Sequence, residues 1–275
     1  MKTVISASRR TDLPAYYLDR LLHFIRQGFA EVANPYSGKS YLVDLHPENV
    51  HTLVFWSKNF GPFLEKSGLF SDYNCYFLFT VNDMPALEPG TITLAARLDQ
   101  AAELTARYGS RRIGWRFDPI VFRHEGPVMD IDTFKRIADG MAKAGISRVI
   151  FSFLDMYGKV KKRNEQLQLH LYDPPRDVKF NYATKLAEAA VEYGMTLESC
   201  CEDFDGIENI SRAACIDGHL LAELAGEPAE TMKDAGQREK CACTLSRDIG
   251  SYRDMPCPNG CLYCYANPHI TLNKE

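Results

Sequence analysis

The runs at 52–56 (Thr-Leu-Val-Phe-Trp) and Arg148–Phe153 are apolar or β-branched almost without a break. A strand with one wet face alternates polar and apolar residues. A strand with no alternation needs cover on both faces, as strands of parallel sheets have. Five more segments read as strands: Thr3–Ala7, 40–45, Cys75–Thr80, 112–117 and 195–199. Amphipathic segments fall between them. Thr11 or Asp12 caps a helix with Pro14 in its first turn, an apolar face of Leu18, Leu21, Leu22 and Ile25, and a stop at Gly28. The segment 92–108 repeats the pattern with Leu94, Leu98, Ala101, Leu104 and Tyr108, before Gly109. Asp130 or Asp132 opens a third helix (Phe134, Ile137, Ala138, Met141) that ends at Gly145. Asp177 opens a fourth (Ala183, Leu186, Ala187, Ala190) that ends at Gly194. This alternation of strand and helix argues for parallel βαβ units, and their number suggests a parallel α/β barrel or partial barrel. Residues 1–199 read as the barrel core, and residues 200–275 as a cysteine-rich region completing the same domain.

The bulk properties narrow the partners. With 275 residues and a net charge of −4, the chain has no global basic field for nucleic acid, although local sites stay open. No apolar run approaches the roughly 20 residues that span a bilayer. The start, Met-Lys-Thr-Val-Ile-Ser, is too polar for a signal peptide and reads as a first strand, so a cytoplasmic location is expected.

Parallel α/β folds place their active sites at the C-terminal ends of the strands. Those ends are polar here: Ser8-Arg9-Arg10-Thr11-Asp12, Ser57-Lys58-Asn59, Asn82-Asp83, Arg116-Phe-Asp118-Pro119, Ser152 to Asp155, and Cys200-Cys201-Glu202-Asp203. Loops are polar in any protein, so single instances carry little. The pairs Lys58/Asn59 and Arg116/Asp118, each directly after a buried strand, say more. Lys159, Lys161, Lys162 and Arg163 form a basic run that reads as a solvated loop, or else as a phosphate contact. Arg111 and Arg112 read as surface charge. His23, His46, His51 and His124 lack partner spacing and are taken as structural.

Nine cysteines in a cytosolic chain point to metal or redox work, not disulfides. All but Cys75, which sits in an apolar run, follow residue 199. Cys257, Cys261 and Cys264 have the spacing C-x3-C-x2-C, with Tyr263 before the third thiol. Zinc would take four ligands, with His269 as a candidate fourth. A four-iron cube would take these three and leave one iron open. A second set, Cys200 (or Cys201), Cys215, Cys241 and Cys243, can supply four more thiolates. These would hold a zinc or a second iron–sulfur cluster. The latter is preferred because the chain already carries the first motif.

The terminal spacing resembles the signature of radical S-adenosylmethionine (SAM) enzymes. In these a [4Fe–4S] cluster binds SAM and cleaves it to a 5′-deoxyadenosyl radical. Phe55-Trp-Ser-Lys58-Asn59, Phe79-Thr80-Val-Asn82, Arg116-Phe-Asp118-Pro119-Ile120 and Val149-Ile-Phe-Ser152-Phe153 resemble strand ends of the spore photoproduct lyase branch, as does the helix around Arg97-Leu98. That superfamily carries its cysteine loop near the start of the chain; here it comes last. With Gln237-Arg238, Cys241-Ala-Cys243 and Asp248-Ile-Gly250-Ser-Tyr252 before it, the arrangement resembles an uncharacterised bacterial and archaeal family. That family is described only as a domain of unknown function with a C-terminal radical-SAM-like cluster. A circular permutation would explain the order, with residues 243–247 as the strand before the loop and Thr3–Ala7 beside it in a closed sheet.

The resemblance implies roles. Cys257, Cys261 and Cys264 ligate the cluster. Tyr263, Arg9, Arg10 and Asn59 contact the cofactor. Arg116, Asp118, Lys58 and Glu202 are candidates for catalytic contact, and a reductant such as ferredoxin or flavodoxin is the implied partner. Two other readings stand beside this one. One is a non-catalytic zinc or iron–sulfur protein whose barrel binds a ligand or partner. The other is nucleic-acid lesion repair like that of spore photoproduct lyase.

Overall fold

The computed structural model describes residues 1–34 and 37–270; the last five residues of the expected 200–275 region lie outside them. In chain order the elements begin with β1 (Thr3–Ala7), α1 (Leu13–Tyr16), α2 (Leu18–Gln27), β2 (Phe29–Ala33), β3 (Ser40–Asp44), β4 (Val50–Ser57), α3 (Gly61–Glu65) and β5 (Cys75–Thr80). Then come α4 (Leu94–Tyr108), β6 (Ile113–Ile120), the short β7 (Phe122–Arg123) and β8 (Gly126–Pro127), α5 (Ile131–Lys143) and β9 (Arg148–Phe153). The chain continues through α6 (Gly158–Gln166), β10 (Leu171–Tyr172), α7 (Arg176–Glu192), β11 (Thr196–Ser199), β12 (Ile210–Arg212), α8 (Gly218–Ala225) and β13 (Arg247–Asp248).

Eight strands form one sheet in the order β12-β11-β9-β6-β5-β4-β1-β13. Every neighbouring pair in it is parallel. The sheet is open, with β12 and β13 as its edges, which makes it a partial barrel and not a closed one. The N-terminal strand lies beside the last: Ile5 pairs with Arg247 and Ser6 with Asp248. That final strand is shorter than the expected 243–247, because residues 241–245 bond to other segments instead. Thr244 N, for example, donates to Ile216 O.

Period-2 alternation sorts the sheet into two faces. Ile5, Leu53, Phe55, Phe77, Trp115, Val149 and Phe151 pack in one core with the helices. Phe55, Phe63, Phe70 and Phe77 form an aromatic cluster there, with Phe55–Phe77 ring centroids 5.6 Å apart and Phe63–Phe70 5.0 Å apart. Each such fully buried ring stabilises the fold by about 1.5–3 kcal/mol. Val4, Val54, Trp56, Tyr76, Leu78 and Ile150, the alternate residues, belong to a second core with Leu221 of α8 and the cysteine-rich segments. Both faces are covered, which is why 52–56 shows no alternation.

Several local expectations shift. The segment 40–45 is not in the main sheet; as β3 it pairs antiparallel with β2 in a half-buried ribbon. The first helix breaks at Tyr17, and Asp12 caps only α1, accepting from Ala15 N. Gly28, at φ 81°, ends α2 as the sequence suggests; a Cβ there would also meet His46 at 2.4 Å. Asp177 is not the cap of α7, which begins at Arg176 after Pro175. The basic run 159–163 is helical (α6), not a loop. Arg112 is not free surface charge: it donates to Cys75 O and Leu224 O.

Candidate functional site

The cysteine loop follows β13, and three other segments hold it. From the loop after β1, Asp12 accepts from Asn259 Nδ2 at 2.9 Å, Tyr16 Oη donates to Asn259 Oδ1 at 2.9 Å, and Tyr17 Oη donates to Pro256 O at 2.7 Å. From the loop after β5, Leu87 O accepts from Leu262 N at 2.9 Å, and Gly90 N donates to Asn259 O at 3.0 Å. Gly90 must be glycine for that approach, since a Cβ would lie 2.5 Å from Pro258 O. From α6, Arg163 Nη1 donates to Leu262 O and Cys264 O, at 2.9 and 2.8 Å. The basic run thus serves the loop through Arg163 and through Lys159, which donates to Asn267 Oδ1.

Asp12 is the first knot. Its carboxylate also accepts from Ser57 Oγ at 2.7 Å and Lys58 N at 2.9 Å, joining the exits of β1 and β4 to the loop. Burial pushes its pKa above the usual carboxylate range, against the pull of these donors.

Glu88 is the second. Its side chain is fully buried, yet it accepts from Lys58 Nζ at 2.8 Å, from Asn82 Nδ2 at 2.9 Å and from Tyr263 Oη. Arg97 Nη1 stands 4.0 Å from its other oxygen. Burial favours the neutral acid, but Lys58 outweighs it and holds the Glu88 pKa below the ordinary value. Burial likewise works against the Lys58 ammonium, and Glu88 holds its pKa above the ordinary lysine range. Tyr263 is therefore fixed through its hydroxyl. Burial and the Glu88 charge raise its own pKa, so it stays a phenol.

Cys261 is buried, and Cys257 and Cys264 are partly so; no disulfide joins any of them. Burial pushes the Cys257 thiol up to about 11 and raises Cys261 and Cys264 as well. Lys58 pulls Cys261 the other way. Among the described residues no three His, Cys, Asp or Glu side chains are posed around a single ready-made ion position. Three soft thiols in one loop are the donor type that an iron–sulfur cluster takes. His269, the candidate zinc ligand, has an exposed side chain, and its backbone N–H donates to Cys257 O.

The other candidates divide. Lys58 reaches the loop. Arg9 meets it through its carbonyl, which accepts from Tyr265 Oη at 3.0 Å, while the Arg9 guanidinium lies over Trp56 (5.2 Å) and bonds Ser246 Oγ. Arg116 covers Trp56 as well (5.0 Å) and pairs with Asp118. Burial opposes its charge, but Asp118 holds its pKa above the arginine range. Asp118 accepts in turn from Ser152 Oγ, and its N–H donates to Asn82 Oδ1, so this pair is linked to the Glu88 knot. Glu202 spends both oxygens on Phe153 N and Lys179 Nζ. Asn59, expected at the cofactor, instead accepts from Gly61 N and Gln100 Nε2 at the start of α3. Arg10, likewise expected there, donates to Gly250 O and braces the turn before the loop.

Glu88, Asn259 and Arg163 were not read as site residues. Only Glu88 left a sequence trace, as a lone acid between Leu87 and Pro89 in an apolar stretch. The second cysteine set does come together. Cys200, Cys215, Cys241 and Cys243 lie in one buried cluster, and Cys201 packs against it, its sulfur 3.8 Å from that of Cys200. No helix among the described residues is long and apolar enough to cross a membrane.

The model of one protein family, a domain of unknown function (DUF1848), matches residues 4–266. No curated protein matches the chain. The match runs from β1 through the cysteine loop and so covers the whole eight-stranded sheet and its site: the chain belongs to the DUF1848 family.

Proposed function

We propose that this protein is an iron–sulfur enzyme of the radical SAM type with a permuted strand order. Cys257, Cys261 and Cys264 would hold a [4Fe–4S] cluster. One observation carries the reading: a loop of three unpaired cysteines follows an edge strand that lies parallel to β1. The last strand thus stands where the first strand of an unpermuted sheet would, with its loop at the C-terminal end. When bound, a cluster with one iron free of protein ligands supplies one-electron reductive cleavage of SAM to a 5′-deoxyadenosyl radical.

The chain's own part is binding, orientation and exclusion of water. Asp12 and Arg163 fix the loop from two sides. Lys58 sets a buried positive charge beside Cys261, which offsets negative charge on its thiolate. Glu88 fixes Tyr263 next to Cys264. Arg116, Asp118 and Ser152 form a linked polar group beside Trp56, and we assign substrate contact to them. A ferredoxin or flavodoxin would deliver the electron.

Protein purified without oxygen is expected to be brown and to carry about four iron and four sulfide per chain. With dithionite and SAM it should release 5′-deoxyadenosine, and Cys264→Ala should abolish that release. Colourless protein with zinc at this loop would overturn the reading. An iron-loaded protein that leaves SAM intact would reduce it to a cluster carrier.

A further inference from the structure

Five cysteines outside the terminal loop gather against the face of the sheet that carries Val54, Trp56 and Tyr76. Cys200 and Cys201 end β11, Cys215 follows β12, and Cys241 and Cys243 precede β13. Cys200, Cys215, Cys241 and Cys243 lie in one buried cluster on that face, with Cys201 packed against it. The Cys200 and Cys201 sulfurs are 3.8 Å apart. Successive residues of a strand point to opposite faces. Cys201 escapes that rule because its φ of 64° turns the chain, and both sulfurs reach the same side. All but Cys201 are buried, and none is in a disulfide.

Polar donors reach several of these sulfurs. A buried neutral thiol packs as a small apolar group and needs no donors. Here Cys241 Sγ accepts from Cys243 N at 3.5 Å, and Cys243 Sγ accepts from Ile216 N at 3.4 Å. Arg238 Nη2 points at Cys200 Sγ from 3.9 Å. The Arg9 guanidinium lies by Cys243, with its Nη2 buried and lacking any oxygen or nitrogen partner. Amide donors and buried cations around sulfur favour a site that carries net negative charge. Four thiolates on a divalent ion carry two negative charges, which face Arg9 and Arg238, the latter also paired with Asp155.

We propose that Cys215, Cys241, Cys243 and one thiol of the Cys200–Cys201 pair bind a single zinc-type ion. The donor count suits one ion. Four thiolates complete the tetrahedral shell of one such ion, with zinc–sulfur bonds of about 2.3 Å, and leave no position open. Because no three of them yet surround an ion position, uptake reorients the side chains and releases thiol protons. The ion's work is structural. The segments around Cys215 and Cys241–Cys243 have little regular structure of their own, yet they cover Val54, Trp56 and Tyr76. A four-thiolate ion would staple them in place and hold Arg9 against Trp56.

The test uses the full-length chain. Metal analysis of protein purified without oxygen should find one zinc equivalent per chain, independent of the iron. Cys257→Ala should lose iron and keep zinc, so this proposal and the cluster reading fail separately. Cys243→Ser, and the double variant Cys200→Ser/Cys201→Ser, should each lose zinc at least tenfold. Replacement by cobalt(II) in the unmutated protein, which needs no variant to fold, should give the intense visible bands of a tetrahedral tetrathiolate. Weak octahedral bands, iron retained by Cys257→Ala, or a disulfide among these five cysteines would each overturn the proposal.

Discussion

Ser6 and Asp248 are register partners 242 residues apart, and Ser6 Oγ donates to the Asp248 carboxylate at 2.8 Å. Asp248 also accepts from Ser8 Oγ at 2.6 Å, Arg9 N at 2.8 Å and Gly250 N at 2.9 Å. One nearly buried carboxylate therefore joins the two ends of the chain and sets the entry to the cysteine loop. Asp248→Ala would leave these donors unpaired. A loss of about 3–5 kcal/mol in urea unfolding is expected, together with weaker iron retention.

Glu88 neutralises Lys58 inside the protein. Glu88→Gln would leave Lys58 buried without its counter-charge, at a cost of about 3–5 kcal/mol. Adding Lys58→Met to Glu88→Gln should recover part of that loss, measured with both single variants as a double-mutant cycle. Equal, additive losses would mean that the two side chains do not act as a pair.

The pH dependence has a definite sign. The Glu88 pKa is lowered on folding, so its contribution is complete above the unfolded carboxylate value of about 4.3 and fades as pH falls through the lower folded value. The Lys58 pKa is raised, so its contribution is complete below about 10.4 and fades as pH rises through the higher folded value. The stability gap between the unmutated protein and Glu88→Gln should be constant from about pH 5 to 8 and shrink in stronger acid. Urea midpoints across that range check it.

Arg163 holds two carbonyls of the cysteine loop. Arg163→Ala should leave the fold intact, since α6 stays anchored by Val160, but should speed iron loss to a chelator several-fold. Arg163→Lys, with a single nitrogen in place of the planar fork, should restore only part of the protection.

Much of the scaffold was legible because burial on both faces leaves a local mark. Thr3–Ala7, Cys75–Thr80 and Arg148–Phe153 are strands with the bounds the sequence suggests. The β2–β3 ribbon was not legible as such, since a half-buried pair and a main-sheet strand look alike over five residues. Arg163 was misread because a basic run looks the same whether it faces water or a loop's carbonyls.

By itself the sequence determined the βαβ alternation and the grouping of cysteines after residue 199, both set by local pattern and spacing; the pairing of first and last strands was an expectation from the family resemblance. Only the tertiary structure decided that the sheet is open, that Asn59 turns to α3 while Lys58 turns to Tyr263, and that Glu88 lies at the centre of the site. Adjacent polar residues after a strand are equivalent in pattern. Which one faces the loop depends on packing between segments far apart in the chain, and no local period records that.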